Sequence, residues 1–528
     1  MELDWSLPYA VHRRPTLAAN VVSTSQPLAA QAGLQAMQEG GNAIDAAVAA
    51  AITLTIVEPV SNGIGSDAFA IVWDGERLHG LNASGRAPAA WTPELFARLG
   101  GIPERGWNSV TVPGCVSAWH ALSQRFGRLP FGELFSFAIR YAHDGYPVSP
   151  TVARQWAQQV PLLRQQPGFA QAFMPQGRAP LPGEIFCLPA AADTLERIAA
   201  DGPEAFYTGG IAARLVAHAQ ACGAALDATD LGAHACDWVA PVAQRYRDFE
   251  LHELPPNGQG LIALVALGVL SNFDFADLPL DGPDSVHLQI EAVKLAMADA
   301  ARFLADPDDM DVAVTSLLDP AYLAERARLI DRRKAQDFAH GTPPRGGTVY
   351  LTAADAEGRM VSYIQSNYMG FGSGVVVPDT GVSLQNRGHA FTLAAGHPNR
   401  VAPRKRPFHT IIPAFVTRDG APFATLGLMG GTMQAQGHTQ VMVRLADYRQ
   451  NPQAAIDAPR FRIVAGLEVN VEPHFPQATL AELERRGHRL TPLGEGYMDF
   501  GSAQIAMRLP GAYLAAWDAR RDSLAVGF

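Results

Sequence analysis

Thr348 follows two glycines and begins a strand-like run, TVYLTAAD. A threonine hydroxyl inside a chain is a poor nucleophile, because no base is guaranteed beside it. A cut before Thr348 would free an α-amine with a pKa of about 7.7–8.0, which could act as the base for the hydroxyl of the same residue. Glycines at 346 and 347 permit the backbone geometry that such a cut needs. The motif alone is compatible with self-cleavage between Gly347 and Thr348 and with an ordinary loop that enters a strand.

The composition bounds the class of protein. The chain has 528 residues, 48% of them hydrophobic and 17% charged, with a formal net charge of −10, which is typical of a globular protein. It has no excess of basic residues with which to bind nucleic acid or an anionic membrane. The most apolar window, Ala43–Val57, is shorter than the ~20 residues that span a bilayer. The first residues lack the order of a secretory signal, so we expect a cytoplasmic protein.

Four cysteines lie far apart in the sequence, with no C-x-x-C pair and no histidine at zinc-site spacing: Cys115, Cys187, Cys222 and Cys236. The pattern favours small buried or idle thiols over a metal site. We expect neither a metal nor a cofactor.

The elements that must position Thr348 can be outlined from periodicity. Residues 26–57 predict two helices, the second capped by Asn42, and a β-hairpin that turns at Asp74-Gly75 follows. Residues 129–338 predict mainly helical cover, whereas the chain beyond Gly346 is rich in strand-like runs. These elements predict a layered α/β domain and leave the order of the layers open.

Longer blocks around Thr348 resemble a known family. The runs GGTVYLTAADAEGR, GFGSG, RPFHTIIPAF and LGLMGG, and upstream NGIGSDAF, GRAPAA and TVPGCVSAW, are similar to the γ-glutamyltranspeptidase family. The resemblance implies the four-layer αββα sandwich of the N-terminal-nucleophile hydrolases. It also implies a precursor cut into a large subunit, residues 1–347, and a small subunit, residues 348–528, which together form one αββα domain.

The resemblance implies roles for five residues. Thr348 matches the family nucleophile, and Ser366 matches the residue whose hydroxyl assists it. Gly430 and Gly431 match the pair whose backbone N–H groups stabilise the tetrahedral oxyanion. Arg86 matches the arginine that binds the substrate carboxylate, since a guanidinium can hold a carboxylate by two hydrogen bonds. Taken singly, each also fits an ordinary strand, turn or surface position.

The chain departs from the family where a γ-glutamyl substrate places its ammonium. In LQNRGHAF, Asn386 is followed by Arg387 in place of Gln or Glu, and Ala390 stands where the family has an aspartate. The ammonium would lack its counter-charge. A site with Arg86 and Arg387 favours an anionic acyl group that has no ammonium.

Other substrate-contacting positions also differ. His409 and Thr410 replace a serine pair, and Tyr368 replaces an asparagine. His409 is either a polar contact to substrate or a structural histidine. The connection from Phe391 to Arg406 is shorter than the lid-bearing loop of well-known relatives, which favours hydrolysis of the acyl-enzyme over transfer.

These features resemble a cytoplasmic branch of the family that includes oxamate amidohydrolases, which act late in purine nitrogen salvage. We therefore expect a self-processing threonine amidohydrolase whose partner is a small acidic amide. The alternatives are a γ-glutamyl hydrolase or transpeptidase acting on glutathione, a glutaryl (cephalosporin-type) acylase, and an unprocessed protein that only binds an acidic ligand. Homo-oligomer formation stays open.

Overall fold

The computed structural model describes residues 13–338, 347–494 and 499–528. Its strands, in chain order, are β1 Thr16–Ala18, β2 Val21–Thr24, β3 Asp67–Trp73, β4 Leu78–Ala83, β5 Tyr146–Pro147, β6 Ile185–Phe186, β7 Asp237–Val239, β8 Val242–Tyr246, β9 Phe249–Glu253, β10 Gly347–Ala354, β11 Met360–Tyr368, β12 Val376–Val377, β13 Val382–Ser383, β14 Ala414–Arg418, β15 Ala421–Leu428, β16 Phe461–Ala465, β17 Glu468–Val471, β18 Arg489–Pro492, β19 Ala503–Leu509, β20 Ala512–Trp517 and β21 Leu524–Gly527.

The α-helices, in chain order, are α1 Pro27–Gln38, α2 Ala43–Val57, α3 Pro93–Arg98, α4 Cys115–Phe126, α5 Ser136–Asp144, α6 Pro150–Leu163, α7 Phe169–Phe173, α8 Pro189–Asp201, α9 Glu204–Tyr207, α10 Gly210–Ala221, α11 Ala228–Gly232, α12 Gly260–Leu270, α13 Pro283–Phe303, α14 Val314–Leu317, α15 Pro320–Arg328, α16 Met433–Ala446, α17 Pro452–Asp457 and α18 Gln477–Arg485. Across the described ranges, no helix combines the length and the apolarity that a bilayer crossing requires.

Two seven-stranded antiparallel sheets form the centre of the molecule. The first has the strand order β1-β20-β19-β15-β14-β9-β8, and the second has the order β21-β2-β10-β11-β3-β4-β7. Both sheets mix strands from before and after Thr348. At one edge of the second sheet the last strand, β21, pairs with β2, and Asn20 and Phe528 exchange two backbone hydrogen bonds of 2.9 and 3.1 Å.

The layers follow from which faces are apolar. Residues such as Tyr350, Ile364 and Phe415 fill the space between the two sheets. Helices α1 and α2 cover the outer face of the second sheet, and α12 and α16 cover the outer face of the first, with α13 packed against α12. The predicted layered α/β class is therefore confirmed, with the layers in the order helix, sheet, sheet, helix.

Helix α2 covers the part of the second sheet that contains Thr348. Its 15 residues are all buried, and it packs against β10 and β11. Asn42 begins the helix with a capping box that is completed by Asp45, which satisfies backbone donors that a buried helix end would leave unpaired. The predicted helix pair and the β-hairpin that follows it are both confirmed.

The prediction for residues 129–338 is incomplete, because this region also supplies β7, β8 and β9. The strands β7 and β8 lie at sheet edges and are only half-buried. A half-exposed edge strand mixes polar and apolar residues, so it lacks the apolar run of a central strand.

Candidate active site

Thr348 lies near the start of β10, between β2 and β11 in the middle of the second sheet. Its side chain is fully buried. The pairing of β10 with β11 shifts by one residue between Gly347 and Val349, so the bond between Gly347 and Thr348 coincides with a β-bulge. A bulge re-aims a side chain out of the regular ladder. Opposite Gly347, Tyr368 has a φ of +78°, which is uncommon for a residue with a side chain.

Two polar side chains hold the Thr348 hydroxyl. Thr348 Oγ1 donates to Ser366 Oγ at 3.2 Å, and Gln434 Nε2 donates to Thr348 Oγ1 at 3.5 Å. The amide of Gln434 is oriented because its Oε1 accepts the backbone N–H of Ile412 at 2.9 Å. The Ser366 oxygen also accepts the Tyr368 N–H at 2.8 Å. The threonine hydroxyl therefore has one acceptor and one donor in fixed positions.

The glycine pair lies between β15 and α16. Gly430 has a φ of +119° and Gly431 has a φ of +62°, values that favour glycine. A Cβ on Gly430 would lie 2.9 Å from the Cα of Gly501. Gln259 Nε2 holds the loop by donating to the Gly431 carbonyl at 2.8 Å. Within the described ranges neither glycine N–H has a hydrogen-bond acceptor, so both donors are left for a ligand.

Arg387 is connected to Thr348 through the hydroxyl of Ser366. Its side chain is fully buried, its Nη1 donates to Thr410 Oγ1 at 2.9 Å, and its Nη2 donates to Ser366 Oγ at 3.4 Å. The guanidinium carbon lies 4.2 Å from the centre of the Tyr368 ring, a cation–π contact. Burial lowers the pKa of Arg387 to about 10, against the opposing effect of Asp67. Arg387 therefore stays charged at neutral pH.

A carboxyl group and an imidazole complete this side of the site. Asp67 Oδ2 lies 3.0 Å from His409 Nε2 and 3.8 Å from Arg387 Nε, and Asp67 Oδ1 accepts the Gly85 N–H at 3.2 Å. Burial raises the pKa of Asp67 to about 7, although Arg387 opposes the rise. Burial, assisted by Arg387, depresses the pKa of His409 far below its usual range, so the imidazole is neutral.

The structure brings most of the sequence-predicted residues together around Thr348. The side chains of Asn386 and Arg86 make their contacts elsewhere. Asn386 holds the loop, since its Oδ1 accepts the Met369 N–H at 3.2 Å and its Nδ2 donates to the Glu104 carbonyl at 2.8 Å. The side chain of Arg86 is 43% exposed and contacts Asp306 at 3.5 Å and the Arg404 carbonyl at 3.2 Å. No described hydrogen bond joins Arg86 to the residues around Thr348.

Sequence reasoning did not single out Asp67, Gln434 or Gln259. Asp67 is the one acid in the block NGIGSDAF, and Gln434 follows Gly431 by three residues. An isolated acid at the start of an apolar strand is a signal that could have been found. The glutamines gave none, because glutamine is common in helices and its contacts here join distant parts of the chain.

A histidine cluster elsewhere is held by its own hydrogen bonds. His287, Glu291 and His488 have ligand-type atoms within 4.8 Å of one another. His287 Nδ1 lies 2.8 Å from His488 Nε2, and Glu291 accepts a hydrogen bond of 2.8 Å from the buried Lys294 ammonium. The lysine supplies the positive charge that Glu291 needs, so we assign no metal to this cluster.

A buried threonine at the head of a central strand, between two antiparallel sheets covered by helices, defines the class of N-terminal-nucleophile hydrolases. The family model described as Gamma-glutamyltranspeptidase matches residues 29–528. The chain belongs to the γ-glutamyltranspeptidase family, and it is an enzyme of the amidohydrolase type.

Three relatives show how far the similarity extends. The glutathione hydrolase-like YwrD proenzyme of Bacillus subtilis is 37% identical over 95% of this chain and 97% of its own length. The oxamate amidohydrolase proenzyme of Klebsiella pneumoniae is 36% identical over 95% and 97%. The crystal structure of a cephalosporin acylase from Bacillus halodurans is 45% identical, with a TM-score of 0.95 over 100% of this chain and 99% of that one.

Proposed function

We propose that the chain is a precursor that cuts itself before Thr348 and then hydrolyses the amide of a small acid that has a carboxylate but no ammonium, such as oxamate. The proposal rests on Arg387, a fully buried cation that donates to Ser366, the hydrogen-bond acceptor of the Thr348 hydroxyl. A carboxylate bound to Arg387 would lie beside the nucleophile. The proenzyme names of two relatives support processing.

Processing begins when the Thr348 hydroxyl attacks the carbonyl carbon of Gly347. The acyl group of residue 347 moves from nitrogen to oxygen, and water then hydrolyses the resulting ester. The products are a large subunit that ends at Gly347 and a small subunit that begins with the free α-amine of Thr348. Thr348, Ser366 and Arg387 are closed off from solvent in the intact chain, so we expect substrate to reach Thr348 only after cleavage.

Hydrolysis uses the same hydroxyl with a new base. The α-amine accepts the Thr348 proton while Oγ1 attacks the amide carbon, and the N–H groups of Gly430 and Gly431 stabilise the oxyanion. The proton passes to the leaving nitrogen, which departs as ammonia when the substrate is oxamate. Water, activated by the α-amine, then attacks the ester and releases oxalate.

The charges near Thr348 support an acyl group without an ammonium. Asp67 is the carboxyl group in contact with this side of the site, and it is already engaged with Arg387 and His409. An ammonium beside the buried guanidinium would add a second positive charge at low dielectric. A γ-glutamyl substrate carries such an ammonium, whereas oxamate does not.

A glutaryl-type amide is a second candidate substrate, because it also carries a carboxylate without an ammonium and because the cephalosporin acylase is 45% identical. Chain length separates the two candidates. Two hydrogen bonds, of 3.2 and 3.4 Å, connect Thr348 Oγ1 through Ser366 to Arg387 Nη2. An acyl group lying between them has its carboxylate close to the reacting carbon, which favours oxamate.

The test compares the wild type with Thr348→Ala. Scaling 56.4 kDa by the residues in each part, we expect fragments of about 37 and about 19 kDa from the wild type only, the smaller beginning at Thr348. The processed enzyme is then assayed with oxamate, a glutaryl amide and glutathione. Intact wild-type chains after prolonged incubation would disprove processing. A kcat/KM for glutathione that exceeds both acidic amides by orders of magnitude would disprove the substrate class.

We also propose a cytoplasmic location. All four cysteines are free, including the exposed Cys187 and Cys222, which suits a reducing compartment. Cell fractionation with a compartment marker tests this, and recovery of the protein outside the cytoplasmic fraction would contradict it.

A further inference from the structure

Asp67, Arg387 and His409 form a buried polar group, here called the acid–arginine group. One of its hydrogen-bond donors lacks an acceptor. Arg387 Nη1 and Nη2 have oxygen acceptors, but Nε has no hydrogen-bond acceptor among the described residues. Asp67 Oδ2 is 3.8 Å from Nε, too far for a hydrogen bond. A buried guanidinium N–H without an acceptor carries an unrecovered desolvation cost, which an incoming carboxylate oxygen could remove.

The imidazole is a fixed donor to Asp67. His409 Nδ1 accepts the backbone N–H of Ile411 at 3.4 Å, so the proton of the neutral ring is on Nε2, which points at Asp67 Oδ2 at 3.0 Å. His409 therefore contributes a hydrogen bond but no charge. The only full positive charge in contact with Asp67 among the described residues is Arg387.

The other titratable groups around Asp67 do not provide a second positive charge in contact with its carboxylate. Arg406 acts from the segment before His409, but its guanidinium is paired with Asp237. Cys115, at the start of α4, is a neutral thiol because burial raises its pKa far above the usual range. Burial raises the pKa of Tyr368, beyond Arg387, to about 12, so its phenol is also neutral. After processing, the α-amine of Thr348 titrates nearby with an ordinary pKa of about 7.7–8.0.

We propose that Asp67 is a proton-linked positioning residue: it pairs as a carboxylate with Arg387 in the empty site and takes up one proton when the carboxylate of the acyl group binds to that guanidinium. This inference rests on the proposed function. It adds that the affinity of the site for its substrate depends on pH. A substrate carboxylate bound to Arg387 would lie close to the Asp67 carboxylate and repel it. This repulsion raises the pKa of Asp67, so that the two carboxyl groups share one proton.

The proton balance is simple. One proton comes from solvent, the Asp67 carboxylate becomes a carboxylic acid, and its hydroxyl donates to the bound carboxylate. No bond in the substrate changes in this step. Because the pKa of Asp67 in the empty site is raised to about 7 by burial, the cost of protonation is small below that pH and grows above it.

The first experiment measures KM for oxamate from pH 6 to pH 9 by chromatographic detection of oxalate. Oxamate keeps its negative charge throughout this range. For the processed wild type we expect KM to rise above pH 7, by up to about tenfold per pH unit, as single-proton linkage requires. Asp67→Asn should lack this rise, so the ratio of the wild-type KM to the Asp67→Asn KM should increase above pH 7. The α-amine of Thr348 titrates in both enzymes, so its contribution cancels in the ratio of the two KM values.

Asp74→Asn is the matched control. Asp74 follows the same strand, β3, and contacts His79 at 2.7 Å, at the opposite end of the strand from Asp67. This variant should keep the pH dependence of the wild type. Mass spectrometry of each variant confirms that the small subunit begins at Thr348 before kinetics are compared.

A second measurement uses the wild type alone, in case Asp67→Asn does not fold or process. Calorimetric titration of the processed enzyme with oxalate at pH 7.5, in two buffers of different ionisation enthalpy, gives the number of protons taken up per site. We expect between about 0.5 and 1. A value of zero would overturn the proposal.

The outcomes separate this inference from the proposed function. Hydrolysis of oxamate with a ratio of wild-type KM to Asp67→Asn KM that is flat from pH 6 to pH 9 would overturn the role of Asp67 and leave the proposed function intact. Failure of every carboxylate-bearing amide to be hydrolysed, together with no heat on addition of oxalate, would overturn both.

Discussion

The contact between Ser366 and the Thr348 hydroxyl has a kinetic consequence. Ser366 Oγ accepts from Thr348 and is itself fixed by the Tyr368 N–H and by Arg387. Ser366→Ala removes the acceptor that orients the hydroxyl of Thr348, the proposed nucleophile. We expect processing and turnover both to slow by about 10–100-fold, about 1.4–2.7 kcal/mol. Half-times from denatured masses and single-turnover rates measure the two steps. Rates within twofold of the wild type would show that Thr348 is oriented without Ser366.

Two arginines compete for the role of carboxylate anchor. The family resemblance assigns it to Arg86, which is half-exposed, whereas the geometry favours the buried Arg387. A lysine keeps the charge but loses the planar fork. We expect Arg387→Lys to raise KM for oxamate by about 10–100-fold and Arg86→Lys to raise it less. A larger KM for Arg86→Lys than for Arg387→Lys would mean that Arg86 binds the substrate carboxylate.

At the scale of elements, the bulge at the bond proposed to be cut, between Gly347 and Thr348, depends on the backbone of β11. Tyr368 is opposite Gly347 with a φ of +78°. Tyr368→Gly and Tyr368→Val both remove the ring, but only valine makes this conformation costly, by about 1–3 kcal/mol. We expect the valine variant to process at least about tenfold more slowly than the glycine variant, as followed by denatured mass. Equal rates would mean that the bulge has no part in cleavage.

A second buried pair joins β9 to α16 and gives the fold a pH dependence. Glu253 Oε1 lies 2.6 Å from His438 Nδ1, and both side chains are fully buried. Burial raises the pKa of Glu253 well above its usual range and lowers the pKa of His438 to about 3. Both groups are therefore neutral in the folded protein, and the carboxylic acid donates to the imidazole.

The raised pKa of Glu253 determines whether the fold gains or loses stability as the pH rises. A carboxyl group with a raised folded-state pKa stabilises the fold below its unfolded pKa of about 4.3, and that contribution is lost as the pH rises toward the folded value. Glu253→Gln is neutral at every pH. We expect the stability of the wild type relative to this variant to fall between pH 5 and pH 8, as measured by urea midpoints. A constant difference would mean that Glu253 is ionised in the fold.

The sequence predicts some of these elements better than others. Helices α1 and α2 and the hairpin of β3 and β4 were predictable, because they combine a local cap, a turn and a long apolar run. The roles of Thr348, Ser366 and the glycine pair come from the resemblance of ordered blocks to the family, and they remain predictions. The contacts of Asp67 and Gln434 could not be predicted. Asp67 contacts Arg387 and Gln434 contacts Thr348, and no local sequence pattern encodes contacts between residues so far apart in the chain.

At the scale of the whole molecule, cleavage before Thr348 would not divide the structure into two folding units. In the first sheet, β1, β8 and β9 precede Thr348, whereas β14, β15, β19 and β20 follow it; the second sheet is mixed in the same way. Each fragment alone would leave apolar sheet faces and strand edges exposed. We therefore expect the two proposed fragments to form one domain.

The mixed sheets predict how the fragments behave. We expect the fragments of about 37 and about 19 kDa to co-elute in size-exclusion chromatography under native conditions and to separate only in denaturant. Removing the denaturant from either fragment alone should give aggregates, whereas a mixture should recover activity in part. A soluble small fragment that elutes by itself from the native enzyme would contradict the interleaved arrangement.

The pairing of β21 with β2 also sets a time at which the enzyme can arise. β2 is the immediate neighbour of β10, on which Thr348 lies, and its other edge is paired with β21. β21 is synthesised long after Thr348, so a nascent chain that already contains Thr348 can still lack one edge of this sheet and the strands β19 and β20 of the other. We expect nascent chains that stop before β19 to be uncut, which ties the appearance of the proposed nucleophile to the completion of both sheets and keeps an unfinished polypeptide from severing itself.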